Sequence, residues 1–421
     1  MEKIIAFLAV YLPFQLAINP TAGVDLASIR VLVILVFFLW LAQGLKKKQM
    51  EIPVNLKLFF LSFFLLLSLV SFLVSQNHDW SVRKMVYLIS IFPIYLVVSS
   101  LIKKNEVQIK LIKSLVIGGG LVALLGVFQF LGQFYLGKDK IYTLWAEKIA
   151  PPFLGKSVTQ AVLENPSWLV NISGETYLRA TASFPDPHML SFFLGLLFPL
   201  ALGLGFFERR KKMLWFILAG VILIADILTF SRGGYLGLIG GLIFFLFFLW
   251  KKLGWTGKKI VAVSILGFLL AIFYPSPISQ RLQSSFDLKE GSNKGRLSIW
   301  EDSGKIIADN PLLGVGLGNY ALAIKPLATY REPIYAHNTY LDIAAETGIL
   351  NALIWILFLW VVIRDFMKKS LNNPIFMAGA VGIIIFSIHS VVETAIYSPV
   401  VLCLFLIISA LSNYQKDEKI S

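Results

Sequence analysis

Residues 214–250 read LWFILAGVILIADILTF, then SRGG, then YLGLIGGLIFFLFFLW. The arms Leu214–Phe230 and Tyr235–Trp250 are 17 and 16 residues of almost unbroken apolar sequence. Crossing a bilayer as a helix takes roughly 20 apolar residues, with a range of about 17–25. Two spans joined by a tight polar turn is therefore the reading, and the same pattern recurs to either side. Candidate spans precede it at Ile4–Ile18, Ala27–Leu45, Leu56–Val74, Met85–Ile102, Ile109–Leu136 and His188–Phe207. Others follow at Ile260–Tyr274, Gly348–Ile363, Pro374–Val392 and Ala395–Leu411. Pro13 interrupts the first, and a cleaved signal peptide over residues 1–23 is its rival reading.

Composition agrees. Of the 421 residues 57% are hydrophobic and 15% charged, against roughly 45–50% and about 25% in a soluble domain. A soluble enzyme, a disordered scaffold and a secreted disulfide fold are excluded, and Cys403 is the only cysteine. The fold class is an all-α polytopic membrane protein with about twelve transmembrane helices and two long external loops. The second loop carries amphipathic helices. The chain divides into N-terminal spans (1–136), a first external loop (137–187), central spans with the Ser231-Arg-Gly-Gly turn (188–274), a large external loop (275–347), and C-terminal spans with a cytoplasmic tail (348–421).

The net charge of +14 is explained by its distribution. Alternating the spans puts Lys46–Lys48, Lys103/Lys104, Arg209–Lys212, Lys251/Lys252, Lys258/Lys259 and Lys368/Lys369 on one side. By the positive-inside rule that side is cytoplasmic. Beside a span on the opposite side stands only the pair Arg83/Lys84. Nucleic-acid binding has little support. The two long loops face outward, and Trp145, Trp168, Tyr177, Trp300 and Tyr320 mark them as folded.

Three external segments carry polar groups that topology alone does not demand. In the Leu228–Tyr235 turn, Gly233 and Gly234 permit reversal and close backbone approach, and Arg232 is either a snorkelling arginine or an anion clamp. Arg296 opens an apparent amphipathic helix whose Leu297, Trp300, Gly304 and Ile307 recur at helical spacing before Pro311. A helix N-terminus offers free N–H groups to an anion; the alternative is a solvated residue on an interfacial helix. Gly314-Val-Gly316-Leu-Gly318 lacks a βαβ setting and reads as a flexible or close-packed turn. In the third segment His337 precedes Asn338, a plausible N-cap. A histidine there is commonly structural, but only His337 lies among polar residues of a long external loop, which makes it the best general base available. No external DxD, HExxH, G-x-S-x-G or ligand-spaced His/Asp/Glu cluster is present, so no metal site and no cofactor are implied.

The order Ser231-Arg-Gly-Gly, Arg296-x-x-x-Trp300, Pro311-x-x-Gly-x-Gly-x-Gly, His337-Asn-x-Tyr-Leu and Glu346-x-Gly348 resembles the O-antigen ligase and O-antigen polymerase superfamily, over roughly residues 170–392. The resemblance implies a metal-independent, inverting membrane glycosyltransferase of GT-C type in the bacterial inner membrane. Its active site would lie on the periplasmic face, and its donor would be a glycan on undecaprenyl pyrophosphate. It further implies Arg232 and Arg296 as pyrophosphate ligands and His337 as the catalytic residue. Arg179, Asn338, Tyr340 and Glu346 are further candidate substrate contacts. The histidine motif after two arginine motifs leans towards a ligase, with lipid A–core as acceptor. Alternatives are an O-antigen or other envelope polysaccharide polymerase, a protein O-oligosaccharyltransferase or, from another class, a transporter of anionic solutes using Asp226, His389 and Glu393. If His337 is not the base, Asp186, Asp302, Asp342 and Glu346 are the remaining carboxylates to consider.

Reporter fusions test the topology. Those at Lys48, Lys212 and Lys369 should report the cytoplasm, and those at Lys156 and Lys289 the exterior. An external signal at Lys212 would overturn the placement.

Overall fold

In a computed structural model, every residue is described except 22–23, 49–51, 165–166, 173, 209, 251–254, 256–258, 260–275, 285–290, 331, 333, 371–372 and 415–421. The first half comprises α1 (Glu2–Tyr11), α2 (Ser28–Lys47), α3 (Leu56–Val70), α4 (His78–Ile91), α5 (Pro93–Leu101) and α6 (Asn105–Leu136). Short helices α7 (Lys138–Leu144), α8 (Ala150–Leu154) and α9 (Lys156–Glu164) follow, then the central α10 (Pro187–Phe207), α11 (Lys212–Ile227) and α12 (Arg232–Trp250). Next come α13 (Pro277–Gln283), α14 (Gly291–Asp309), α15 (Tyr320–Ile324) and α16 (Thr339–Thr347). The chain closes with α17 (Ile349–Lys369), α18 (Pro374–His389) and α19 (Pro399–Leu411). The strands form two antiparallel hairpins, β1 (Ala17–Thr21) with β2 (Val24–Ala27) and β3 (Leu169–Ile172) with β4 (Glu175–Leu178).

This is a multi-pass helical membrane protein. Among the described residues six stretches are long and apolar enough to cross a bilayer: Ser28–Lys47, Leu56–Val74, His78–Leu101, Asn105–Leu136, Pro187–Phe207 and Ile349–Lys369. Arg232–Phe248, Pro374–His389 and Pro399–Leu411 are shorter apolar helices. The first expected span is shorter than its apolar run. After Tyr11 the chain makes one 3-10 turn through Pro13 and enters the β1–β2 hairpin, with Ile18 in a strand. Ten helical residues rise only about 15 Å, roughly half the hydrocarbon thickness. The expected span at 260–274 lies outside the described residues.

Helix α10 is the hub. Of its span 78% is buried, against 28% for α2, and it packs on α6, α11, α12 and α18. Small residues let the backbones close up, as membrane helix interfaces require. A Cβ on Gly382 would stand 3.0 Å from the Leu196 carbonyl oxygen, and one on Gly237 2.9 Å from that of Ile385. Connectivity then sorts the ends. The outgoing end of α10 and the start of α11 meet at Arg210–Lys212, and Lys368/Lys369 precede α18. Asp186, the 228–232 turn and His389 occupy the opposite end.

At that opposite end both long loops are anchored to the bundle. Gln129 and Gln133, buried on α6, grip the 178–182 segment: Gln133 bonds both the N–H and the carbonyl of Leu178, and Gln129 accepts from the Thr181 and Ala182 N–H groups. Gly314, Gly316 and Gly318 all have positive φ, and a Cβ on Gly314 would collide with the α16 backbone. That turn is close-packed. The Arg83/Lys84 anomaly is partly resolved as well. Lys84 Nζ lies 2.6 and 2.7 Å from the two carboxylate oxygens of Glu346, which also accepts from Tyr397 Oη at 3.1 Å.

Removing one partner of such a buried pair typically costs about 3–5 kcal/mol, because the other is left uncompensated. Glu346→Gln should therefore lower the thermal unfolding midpoint in detergent, and adding Lys84→Met should recover much of the loss. Wild-type stability of the single variant would return Glu346 to the candidate substrate contacts.

Candidate active site

The site grows from two tight backbone features. In the 228–235 turn the left-handed residue is Phe230, with φ of 50°, and α12 starts directly at Arg232. The glycines therefore do not make the reversal. They make room: a Cβ on Gly233 would collide with the His389 ring, and one on Gly234 with Ser191 Oγ. Arg179 holds the turn from outside, its Nε donating to the Thr229 carbonyl at 2.7 Å and Nη1 to that of Ser167 at 3.0 Å. Arg179 is 4% exposed, so its described bonds fasten backbone.

The second feature is His337, itself left-handed with φ of 47°. Such a conformation is uncommon for a residue with a Cβ and persists where its surroundings over-determine it. They do so here. The Ala336 N–H donates to Asp342 Oδ1 at 2.8 Å, and the Ala336 carbonyl accepts from Trp300 Nε1 at 3.0 Å. On the other side the Thr339 N–H reaches the Ser390 carbonyl at 2.9 Å, and Thr339 Oγ1 donates to the Glu393 carbonyl at 3.0 Å. Asn338 caps α16, accepting from the Tyr340 and Leu341 N–H groups. Thr394 Oγ1 is a further donor to Asp342, whose carboxyl burial pushes up to about 7.

Glu393, between α18 and α19, joins these features. Its Oε1 lies 2.8 Å from His337 Nδ1, and its Oε2 lies 3.7 Å from Arg296 Nη2 and 4.0 Å from His188 Nε2. Burial alone would raise the pKa of this carboxyl. The His337 hydrogen bond and the charges of His337 and Arg296 outweigh burial and hold it well below the usual range. An ionised carboxylate only accepts, so His337 Nδ1 is the donor, and in the neutral ring the lone pair is on Nε2. For His337 burial opposes the charged ring, but the hydrogen bond and charge of Glu393 prevail, so its pKa stands above the ordinary 6.5. The side chain is 35% exposed.

Behind Glu393 lies a chain of buried polar groups. His188 Nδ1 and Ser231 Oγ are 2.9 Å apart, and Ser231 Oγ and His389 Nε2 3.3 Å. Asp186 caps α10 by accepting from the His188 and Met189 N–H groups, and burial with the nearby Glu393 charge pushes its carboxyl up to about 6.

Arg232 and Arg296, 64 residues apart in sequence (296 − 232), meet through α14. Arg232 Nη1 donates to Asn293 Oδ1 at 3.0 Å, and Asn293 precedes Arg296 by one turn. Two expectations about this helix change. It begins at Gly291, so Arg296 reaches Glu393 from the helix flank rather than from its N-terminus. The inward stripe is Arg296, Ile299, Trp300, Ser303 and Ile307, while Leu297 and Gly304 are exposed.

The sequence candidates thus separate. Arg232, Arg296 and His337 fall in one connected cluster. Arg179 and Asn338 bond backbone, Tyr340 Oη donates to the Ser387 carbonyl at 2.8 Å, and Glu346 is paired with Lys84. Among the remaining carboxylates, Asp302 is exposed beside Lys305, and Asp186 and Asp342 hold backbone. Sequence reading missed Glu393, His188 and Asn293 as members of the cluster. The available signal was an ionisable group inside an apolar run, which in Glu393 had pointed only to transport.

A helical membrane protein with a carboxylate–histidine pair and two arginines at the end opposite its basic clusters is the class defined so far. The O-antigen ligase family model matches residues 217–356, a third of the chain, including Arg232, Arg296 and His337 but not Glu393 or His188. An O-antigen ligase of Salmonella typhimurium is 26% identical over 193 residues, covering 42% of this chain. The match spans 46% of that relative's length. Each of these similarities covers less than half of this chain.

Glu393→Gln should lower the pKa of His337, because the hydrogen bond and charge that raise it are weakened. The midpoint of pH-dependent His337 modification by diethyl pyrocarbonate, read by mass spectrometry, should move to lower pH. An unmoved midpoint would mean the pair does not form in solution.

Proposed function

We propose that this protein is a glycosyltransferase that moves a glycan from undecaprenyl pyrophosphate to an acceptor hydroxyl at the outer face of the bacterial inner membrane, most specifically onto lipid A–core. The observation that carries the reading is the Glu393–His337 pair with Arg296 on the same carboxylate. In this reading Glu393 fixes the imidazole tautomer and His337 Nε2 takes the proton from the acceptor hydroxyl. The acceptor oxygen bonds to the anomeric carbon as the bond to the pyrophosphate oxygen breaks, inverting that centre. The departing pyrophosphate carries the negative charge, and Arg232 and Arg296 compensate it with planar, bidentate donors. That charge compensation lies within the protein's own side chains. The position of the basic clusters at the far end of α10, α11 and α18 supports an outward-facing site.

Loss of a general base typically costs about 10²–10⁴-fold. Purified His337→Ala should therefore nearly abolish transfer from the lipid pyrophosphate while still binding donor, and His337→Gln should not rescue it. Arg232→Lys and Arg296→Lys should each lower turnover by up to about 10²–10³-fold and leave the fold intact. Transfer should survive EDTA. Near-normal transfer by His337→Ala would refute the assignment, and offering lipid A–core beside a second lipid-linked repeat would separate ligase from polymerase.

A further inference from the structure

One group of cations at the outer end is not used by the chemistry above. Helix α4 carries Trp80, Arg83, Lys84 and Tyr87 on two successive turns, with Arg83 and Lys84 about 100° apart around its axis. Lys84 is held by Glu346, with its Nζ also 3.5 Å from the centre of the Tyr397 ring. Arg83 is different. It is exposed, makes no ion pair among the described residues, and its guanidinium lies 5.1 Å from the Tyr330 ring centre. Trp80 meets the same ring edge-on at 5.4 Å. Tyr330 is 42% exposed and Tyr335 37%. Tyr335 stands two residues before His337, and its ring centre is 5.9 Å from that of Tyr397. A band of aromatic rings and cations therefore runs from the His337 loop to the first turns of α4, by a route separate from the one that brings Arg232 and Arg296 to Glu393.

The chemistry of the band is specific. Ring faces pack against the apolar C–H faces of sugars, and a guanidinium beside an aromatic is a planar donor for a carboxylate or phosphate. Half-exposed tyrosines and a tryptophan at one surface are the residues that anchor recognition. Arg83 lies on the side of the membrane where basic residues are disfavoured, so its retention beside a span is accounted for by an anionic partner rather than by topology.

We infer that the surface formed by Trp80, Arg83, Tyr330 and Tyr335 is a binding site for an anionic oligosaccharide, one whose sugar rings carry carboxylate or phosphate groups, and that it presents the acceptor to His337. The acceptor role rests on the transferase reading; the binding site itself does not.

The test uses the full chain in lipid nanodiscs and two probes of equal length, tetragalacturonate and the neutral maltotetraose. Wild-type protein should bind the acidic probe at least tenfold more tightly than the neutral one. Arg83→Ala and Tyr330→Ala should each erase most of that preference, Arg83→Lys should keep part of it, and Arg232→Ala should leave it unchanged. Steady-state transfer with an anionic acceptor should show Arg83→Ala raising the acceptor KM about tenfold with little change in donor binding. Equal affinity for the two probes in wild type, or undiminished preference in Arg83→Ala, would overturn the site. Loss of the preference in Arg232→Ala would place the anion at the donor cations instead and equally overturn it. A wild-type chain that shows the preference but transfers no glycan would sink the transferase reading alone.

Discussion

The buried carboxylate of Glu393 is the constraint around which the end of the molecule opposite its basic clusters is built. An ionised group removed from water is tolerated only when paired and hydrogen-bonded, and Glu393 is 7% exposed. Its partners come from three distant parts of the chain: His188 from α10, Arg296 from α14, and His337 from the loop before α16. Neutralising one charge thus fixes the position of a surface helix and a loop against the span bundle. The same act leaves His337 with one nitrogen committed and the other available. Stability and chemistry are not separable at this residue.

Backbone strain marks the same place. Besides Lys48 and Ala182, the described non-glycine residues with positive φ are Phe230 and His337, one beside each of the two motifs that converge. Each is bracketed by bonds that do not involve its own side chain. Arg179 and Arg281 hold the carbonyls of Thr229 and Phe230, and Trp300 and Asp342 hold both sides of Ala336. The strain, of order 1–3 kcal/mol per residue, is therefore offset by neighbouring backbone bonds, and the imidazole is oriented through Nδ1 by Glu393. Arg179 contributes to the site as a clamp on the turn that precedes Arg232.

Much of this was legible in the sequence, for physical reasons. Apolar length reports spans directly, so Leu56–Val74 and the Pro187–Phe207 helix were readable to within a few residues. His337 and Asn338 stood out because a polar helix start in an external loop has a local signature. What failed were features decided by tertiary contact. The run at residues 4–18 is apolar apart from Gln15, yet Pro13 and the hairpin cut its helix short. The stripe on α14 was drawn one residue round from the face that Trp300 and Ser303 bury, because Leu297 is apolar but faces outward. Gly233 and Gly234 look like turn residues, and only the neighbouring His389 and Ser191 show that they are spacers. Glu393 was visible as a charge in an apolar run, but nothing local says which of four histidines it meets.

The exceptions to the charge rule then become informative individually. Arg83 and Lys84 are adjacent in sequence and equally anomalous by topology, but adjacent residues on a helix lie about 100° apart. That rotation separates their fates. Lys84 turns inward and is neutralised by Glu346, so its presence is explained by packing of α4 against the α16 segment. Arg83 turns outward, where Tyr330 offers a polarisable face and no described residue forms an ion pair with it. A statistical rule about membrane sides cannot distinguish these neighbours, whereas the direction of each side chain can. A basic residue on the disfavoured side is a pointer to an external anion only where no internal partner holds it; Lys84 has one in Glu346, and among the described residues Arg83 has none.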